Sequence, residues 1–149
     1  MNNTQDKAKK TISVMIPTYN EEENARPIYE AVRDELQKSC PAYDYEILFI
    51  DNKSTDRTRS IIEEICARDK HVKAIFNSKN FGQFNSPYYG MIHTSGDCTI
   101  TICADFQDPV ELIPSGRRAT RSSSAKRPAA GRIRSCTFCA AAITRSSAR

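Results

Sequence analysis

The chain has 149 residues, 39% of them apolar and 27% charged, with a formal net charge of +4. That length holds one domain with a buried core and excludes two comfortable ones, and no run approaches the roughly 18 apolar residues of a membrane helix. The charge is unevenly placed: nine of the 22 Lys and Arg and none of the 18 Asp and Glu lie in residues 115–149, so residues 1–114, with thirteen basic side chains, carry −5 and the tail +9.

Residues 1–10, MNNTQDKAKK, form a polar arm without the apolar centre of a signal peptide. "TISVMI" at 11–16 is β-branched and apolar, ends at Pro17, and predicts a buried strand. After the polar turn "PTYNEEEN", Ile28, Val32 and Leu36 recur every four residues and predict an amphipathic helix from Ala25 to Lys38. "YEILFI" at 45–50 is a second strand, followed by "DNKSTD", whose Ser54, Thr55 and Asp56 are candidate caps. Ile61, Ile62, Ile65 and Cys66 place an apolar stripe on a helix running to about Asp69.

The alternation continues with "VKAIF" at 72–76 as a third strand, a turn "NSKNFG", and a helix from Gln83 to about Thr94 that must accommodate Pro87 and Gly90. "DCTITICA" at 97–104 is a fourth strand, and "PVELI" reads as the first turn of a further helix with Pro109 at its first position. This rhythm predicts an α/β fold: a Rossmann-like, mostly parallel sheet with helices on both faces. Beyond Pro114 periodicity stops. Residues 115–149 are an Arg/Ser/Ala-rich segment with few large apolar residues, expected to be disordered.

Parallel strands joined by right-handed crossovers deliver their carboxyl-end loops to one edge, where open α/β sheets bind ligands. Those loops carry Thr18, Tyr19, Asn20 and Glu21; Asp51, Asn52 and Asp56; Asn77, Asn80 and Gly82; and Asp105, Gln107 and Asp108. Three of the four hold carboxylates, which repel one another unless a cation or hydrogen-bond donors sit between them. Asp105 and Asp108, with Gln107 between them, are hard oxygen ligands suited to Mg²⁺ or Mn²⁺ bridging to a diphosphate; alternatively they are loop residues capping the turn at Pro109. Asp51 can accept hydrogen bonds from a ribose hydroxyl or a base N–H, or cap a helix. Tyr19 can lie against a base, and Glu21 can contact it or start a solvated helix.

Together, "ISVMIPTYNEEEN", "ILFIDNKSTDRT", "NFGQ" and "ADFQDPVELIP" resemble, in order and spacing, the family 2 inverting glycosyltransferases of GT-A fold. The resemblance covers residues 11–114 and is to the polyprenyl-phosphate sugar transferase branch, with dolichol-phosphate mannose synthase and bacterial bactoprenol glucosyltransferases. It implies a nucleotide pocket with Pro17, Tyr19 and Glu21 around the base and Asp51 on the base or ribose. It also implies Asn80 and Gly82 in an N-x-G loop near the nucleotide, and Asp105 and Gln107 at the metal and diphosphate with Asp108 beside them. The implied donor is a UDP- or GDP-sugar, the cofactor Mg²⁺ or Mn²⁺, and the acceptor a polyprenyl phosphate or a glycan. The chain departs from the family pattern at Cys103, a position often Asp, and at Val110, which replaces a common Pro; a thiol is a poor ligand for a hard cation.

The resemblance implies that acceptor contacts and the catalytic residues lie beyond residue 114, so this chain reads as a truncated transferase. The alternatives are a non-catalytic nucleotide-sugar-binding fragment and, third, a nucleic-acid-binding protein using the basic tail. No nucleic-acid partner is expected, because Phe138 is the tail's only aromatic and stacking has little to use. Cys136 and Cys139 form a C-x-x-C without a second pair and make a poor zinc site; the scattered cysteines and polar start imply a reduced, cytoplasmic setting, or one peripheral at the inner face of the membrane. Composition and periodicity change together at Pro114, as out-of-frame translation of residues 115–149 would produce. Sequencing the gene around codon 114 is expected to show a disrupted frame; one uninterrupted frame shared by close relatives through the tail overturns this.

Overall fold

A computed structural model describes residues 9–114. The basic segment 115–149, with its expected disorder and its C-x-x-C, and most of the polar arm lie outside the described residues. The elements are β1 (Thr11–Thr18), α1 (Ala25–Ser39), β2 (Asp44–Asp51), α2 (Thr58–Arg68), β3 (Val72–Phe76), α3 (Gly82–Ile92) and β4 (Cys98–Thr101), then a 3₁₀ turn at Val110–Leu112. All four strands are parallel, in the order β3-β2-β1-β4.

That order places a topological switch point between β1 and β4: the chain builds outward from β1 through β2 to β3, then returns to β1's other side. Because crossovers share one hand, the reversal puts the connecting helices on opposite faces. Val14, Ile16, Ile47 and Phe49 pack with Ile28, Val32 and Leu36 of α1 and Ile62 and Ile65 of α2. Strand side chains alternate, so Met15, Leu48 and Ile50 point to the other face, where Gly90 of α3 lies close enough that a Cβ there would sit 3.0 Å from Ile50 Cγ2. Helices therefore cover both faces, as expected.

β1 runs one residue past the proline expected to end it. Met15 O accepts from Ile102 N and Thr18 O from Asn52 N, so odd residues of β1 face β4 and even ones face β2. Pro17 thus directs its missing donor toward β4, whose registered pairing has stopped at Met15 opposite Thr101. A proline is tolerated where the ladder is already open. β4 is shorter than expected, four residues against eight. Pro109 stands before the 3₁₀ turn in extended conformation rather than inside a helix, a correction to the position expected for it; Ile113 nevertheless reaches the core beside α1.

On the α3 face, Glu46 is 5% exposed. Its carboxylate accepts from Ser13 Oγ at 2.6 Å, Ser95 Oγ at 2.7 Å, Ser95 N and Lys73 Nζ at 2.9 Å, linking β1, β2, β3 and the turn before β4. Gly96 donates to the same Ser13 Oγ, and a Cβ there would come within 2.4 Å of it and 2.8 Å of Thr11 O, so only glycine fits. Burial works against the charge on Glu46, but the donors from Ser13, Ser95 and Lys73 outweigh it and hold the carboxyl at about 2. A depressed carboxyl contributes stability that is present above its ordinary range near 4.5 and lost as pH falls toward 2. Glu46→Gln is expected to cost about 3 kcal/mol at pH 7 and to flatten the fall in urea midpoint between pH 5 and 2.5; an unchanged acid limb refutes the role.

Candidate functional site at the carboxyl edge

Each strand-end loop turns through one residue in the left-handed region: Asn20 (φ 56°) after β1, Lys53 (64°) after β2, Gly82 (84°) after β3 and Phe106 (59°) after β4. Asn and Gly adopt this conformation readily, whereas Phe106 is bulky and occupies it at a cost of about 1–2 kcal/mol. Such turns fold the backbone back over the strand ends.

The β1 and β2 loops are laced together. β1 ends with Thr18 paired opposite Asp51 of β2. Asp51 is 2% exposed; Ser54 N donates to Oδ2 at 3.0 Å, Ser54 Oγ makes a very short bond to Oδ1, and Thr18 Oγ1 approaches Oδ1 at 3.4 Å. Three of the roughly four lone-pair positions of this carboxylate are thus taken. Asn20 N donates to Ser54 Oγ and Asn20 Oδ1 accepts from Thr55 N, both at 2.8 Å. Glu21 N donates to Thr58 Oγ1 at 2.8 Å, and its carboxylate accepts from Asn24 Nδ2 at 2.8 Å.

Asp56 receives Thr58 N at 3.0 Å and Glu22 N at 3.2 Å. Burial resists ionisation there, yet the Thr58 and Glu22 donors leave the Asp56 carboxyl below its ordinary value. Of the three expected caps, Asp56 supports the start of α2 while Ser54 and Thr55 serve the neighbouring loop.

The β3 loop is held by Asn52, which the sequence places at the same edge but assigns no role. Asn52, 8% exposed, donates from Nδ2 to Asn80 Oδ1 at 2.8 Å and accepts at Oδ1 from Phe81 N at 2.9 Å and Asn77 Nδ2 at 3.3 Å. Asn80 Oδ1 also receives Gly82 N at 2.8 Å. Asn80 and Gly82 are thereby anchored to the residue after Asp51. The available signal was its place directly behind a strand-end acid, where a buried amide can serve two loops at once.

The fourth loop makes local contacts. Gln107 N donates to Asp105 Oδ1 at 3.2 Å, and Cys103 N donates to Asp108 Oδ2 at 3.3 Å, so Asp108 braces its own loop rather than capping the 3₁₀ turn. Asp105 and Gln107 are exposed and Asp108 half-buried. Tyr19 is exposed just beyond β1, and Pro17 is half-buried one strand residue earlier. Thus the Glu21, Asp51, Asn80 and Gly82 loops are joined by hydrogen bonds, whereas the 105–108 turn reaches the same edge on β4, which pairs with β1, and is followed by Ile113 packed in the core beside α1. Among the described residues, no three His, Cys, Asp or Glu side chains gather as a cation site.

The glycosyl transferase family 2 model matches residues 13–118. The chain belongs to that family. Relatives within it include the bactoprenol glucosyl transferase of Shigella phage SfV, 42% identical over 103 residues, a span of 69% of this chain and 33% of the relative. Another is the undecaprenyl-phosphate 4-deoxy-4-formamido-L-arabinose transferase of Proteus mirabilis, 38% identical over 106 residues, 69% of this chain and 31% of the relative. This family member therefore spans about a third of the length of the curated relatives it matches. Its fold recurs in a mannosyltransferase from Pyrobaculum calidifontis solved with GDP-Man and Mn²⁺, with TM-score 0.53, 20% identity, and 71% and 30% of the two chains covered. It recurs also in glucosyl-3-phosphoglycerate synthase from Mycobacterium tuberculosis solved with UDP, with TM-score 0.52, 23% identity, and 77% and 41% covered. The parallel sheet and its helices share the α/β arrangement of a GT-A fold. The family match passes Pro114 by four residues.

Asn52→Ala is expected to raise amide exchange at Phe81 about tenfold, the loss of one buried hydrogen-bond partner, while Val14 and Phe49 amides stay protected. Uniform loosening of all amides instead assigns Asn52 to global stability.

Proposed function

We propose that this chain is the donor-binding part of an inverting glycosyltransferase that takes sugar from a UDP- or GDP-sugar for transfer to a polyprenyl phosphate. The observation carrying this reading is the convergence of the Glu21, Asp51 and Asn80–Gly82 loops on one sheet edge, with the carboxylates of Asp105 and Asp108 across the switch point. Tyr19, exposed beside Pro17 and Glu21, supplies a face for the base. Asp51 has one acceptor position left for a ribose hydroxyl, and Ser54 must turn aside to give more.

Asp105, Asp108 and the Gln107 amide are oxygen donors of the kind Mg²⁺ and Mn²⁺ take, and Mg²⁺ characteristically uses one or two carboxylates and completes its shell with substrate phosphates and water. A loop offering two carboxylates and one amide oxygen leaves much of the shell open and therefore suits an ion that arrives with a diphosphate. When bound, the ion would neutralise charge on the departing nucleoside diphosphate. Cys103 stays outside this donor set.

In the proposed reaction an acceptor phosphate oxygen attacks the sugar's C1. The new C1–O bond forms as the bond from C1 to the diphosphate oxygen breaks, the electron pair leaves with the nucleoside diphosphate, and the anomeric centre inverts. The attacking oxygen is already anionic near neutral pH, so little general-base assistance is needed. Among the described residues no third carboxylate or imidazole gathers with Asp105 and Asp108, which favours a second reading, nucleotide-sugar binding without turnover. No helix among the described residues is long and apolar enough to cross a membrane; a position at the inner membrane face follows from the acceptor.

Titration calorimetry of the full chain with UDP and GDP is expected to show metal-dependent binding weakened at least tenfold in Asp105→Ala, about 1.4 kcal/mol or more. A folded sample that binds neither nucleotide with either ion overturns the proposal. A product assay with donor and polyprenyl phosphate separates the two readings.

A further inference from the structure

After β2 the left-handed turn residue is a lysine. Lys53 holds φ 64° between two fixed neighbours: Asn52 N donates to Thr18 O at 2.9 Å, and Ser54 N donates to Asp51 Oδ2 at 3.0 Å. A glycine adopts this conformation without the clash that a side chain brings, so the turn alone gives no reason for a lysine. Strain retained at a candidate binding edge points to a use for the side chain.

The neighbouring cations are engaged. Arg57 Nε lies 3.4 Å from Glu22 Oε2, Arg59 Nε donates to Glu63 Oε1 at 2.8 Å, and Lys79 Nζ lies 5.2 Å from the Phe81 ring centroid. Lys53 is exposed, and among the described residues its ammonium has no carboxylate, carbonyl or ring as a partner. The nearby acids in its loop serve that loop: Asp51 is buried and accepts from Ser54 and Thr18, and Asp56 accepts from Thr58 N and Glu22 N.

We infer that Lys53 is a specificity-determining residue of the donor site, donating to a ring carbonyl of the nucleobase and so selecting uracil or guanine over cytosine or adenine. This rests on the proposed nucleotide-sugar binding and deepens it. Strand order decides which part of the nucleotide Lys53 meets. β2 stands two places from β4 in the sheet, roughly 10 Å away at the usual strand spacing. A nucleoside diphosphate whose phosphates sit with an ion at Asp105 and Asp108 therefore crosses β1 and brings its nucleoside, not its phosphates, to the β2 loop. There Asp51 takes the ribose and Tyr19 offers a face to the base, which leaves the base's polar edge to Lys53.

The chemistry of that edge sets the selection. An ammonium has three donors and no acceptor, so it satisfies O4 of uracil or O6 of guanine but not the amino group that cytosine and adenine carry at the same ring position. Cytosine or adenine would set donor against donor and leave both groups without a partner.

Titration calorimetry of the full chain with Mg²⁺ or Mn²⁺ compares UDP with CDP and GDP with ADP, pairs that exchange a ring carbonyl for an amino group. In the pair that binds, the wild-type chain is expected to favour the carbonyl base at least about tenfold. Lys53→Met and Lys53→Gly are expected to reduce that preference below about threefold, the glycine variant while its urea midpoint holds or rises, because the turn is relieved. Lys53→Glu is expected to invert the preference, since a carboxylate accepts from the amino group.

A preference that survives Lys53→Met and Lys53→Gly overturns the inference, as does a wild-type chain that does not discriminate. So does an equal loss for both members of a pair in Lys53→Glu, which a contact to the diphosphate would give. A wild-type chain that binds no nucleotide removes the proposed function and this inference with it. Metal-dependent nucleotide binding that weakens in Asp105→Ala but shows no preference dependent on Lys53 removes this inference alone.

Discussion

The parallel ladder between β1 and β2 ends on a matched pair, Thr18 opposite Asp51, and the rest of the carboxyl edge is assembled from that register. Asp51 lies at the last paired position, so its carboxylate is buried where it can gather Ser54 and Thr18. Asn52 follows one residue later, its N–H bonded to Thr18 O and its side chain free to reach the β3 loop. A slip of one residue would turn Asp51 to the face now held by Ile50 and break both connections, since strand side chains alternate.

The second face carries a different kind of constraint. Glu46 is a buried carboxylate that survives ionised because four donors meet it, and those donors come from segments distant in the chain. It fixes the turn that feeds β4, and β4 is the strand that brings Asp105 and Asp108 to the edge. A structural acid near the start of the sheet thus governs where the candidate diphosphate loop emerges. The same face allows α3 to pack through Ser86 and Gly90, and close packing by small residues leaves its aromatic side chains nowhere to go but outward.

Much of the fold was legible because local pattern and tertiary demand agree. The four-residue recurrence of Ile28, Val32 and Leu36 and the β-branched runs at 11–16 and 45–50 matched the observed elements within a residue or two. Misjudged boundaries lay where an interaction with another strand decides the outcome: Pro17 stays in β1 because β4 pairing has ended, and Pro109 stands outside its turn because the following segment dips Ile113 into the core. At the site, the acids were visible as residue types behind strands. Asn52 was not singled out, because a buried amide reaching 25 to 30 residues along the chain looks from the sequence like any turn asparagine.

By itself the sequence determined the α/β class, the order of elements, the edge at which the candidate residues gather and the family whose motifs they match. These follow from periodicity and from the handedness of the crossovers, which are properties of short stretches. Only the tertiary structure decided that Asp51 is nearly saturated by its own loop, that Glu46 is locked ionised inside the sheet, and that α3 presents Phe84 and Tyr88 to the outside. Each of those depends on which partner arrives from a distant segment, and burial and hydrogen bonding are settled only when the partners meet.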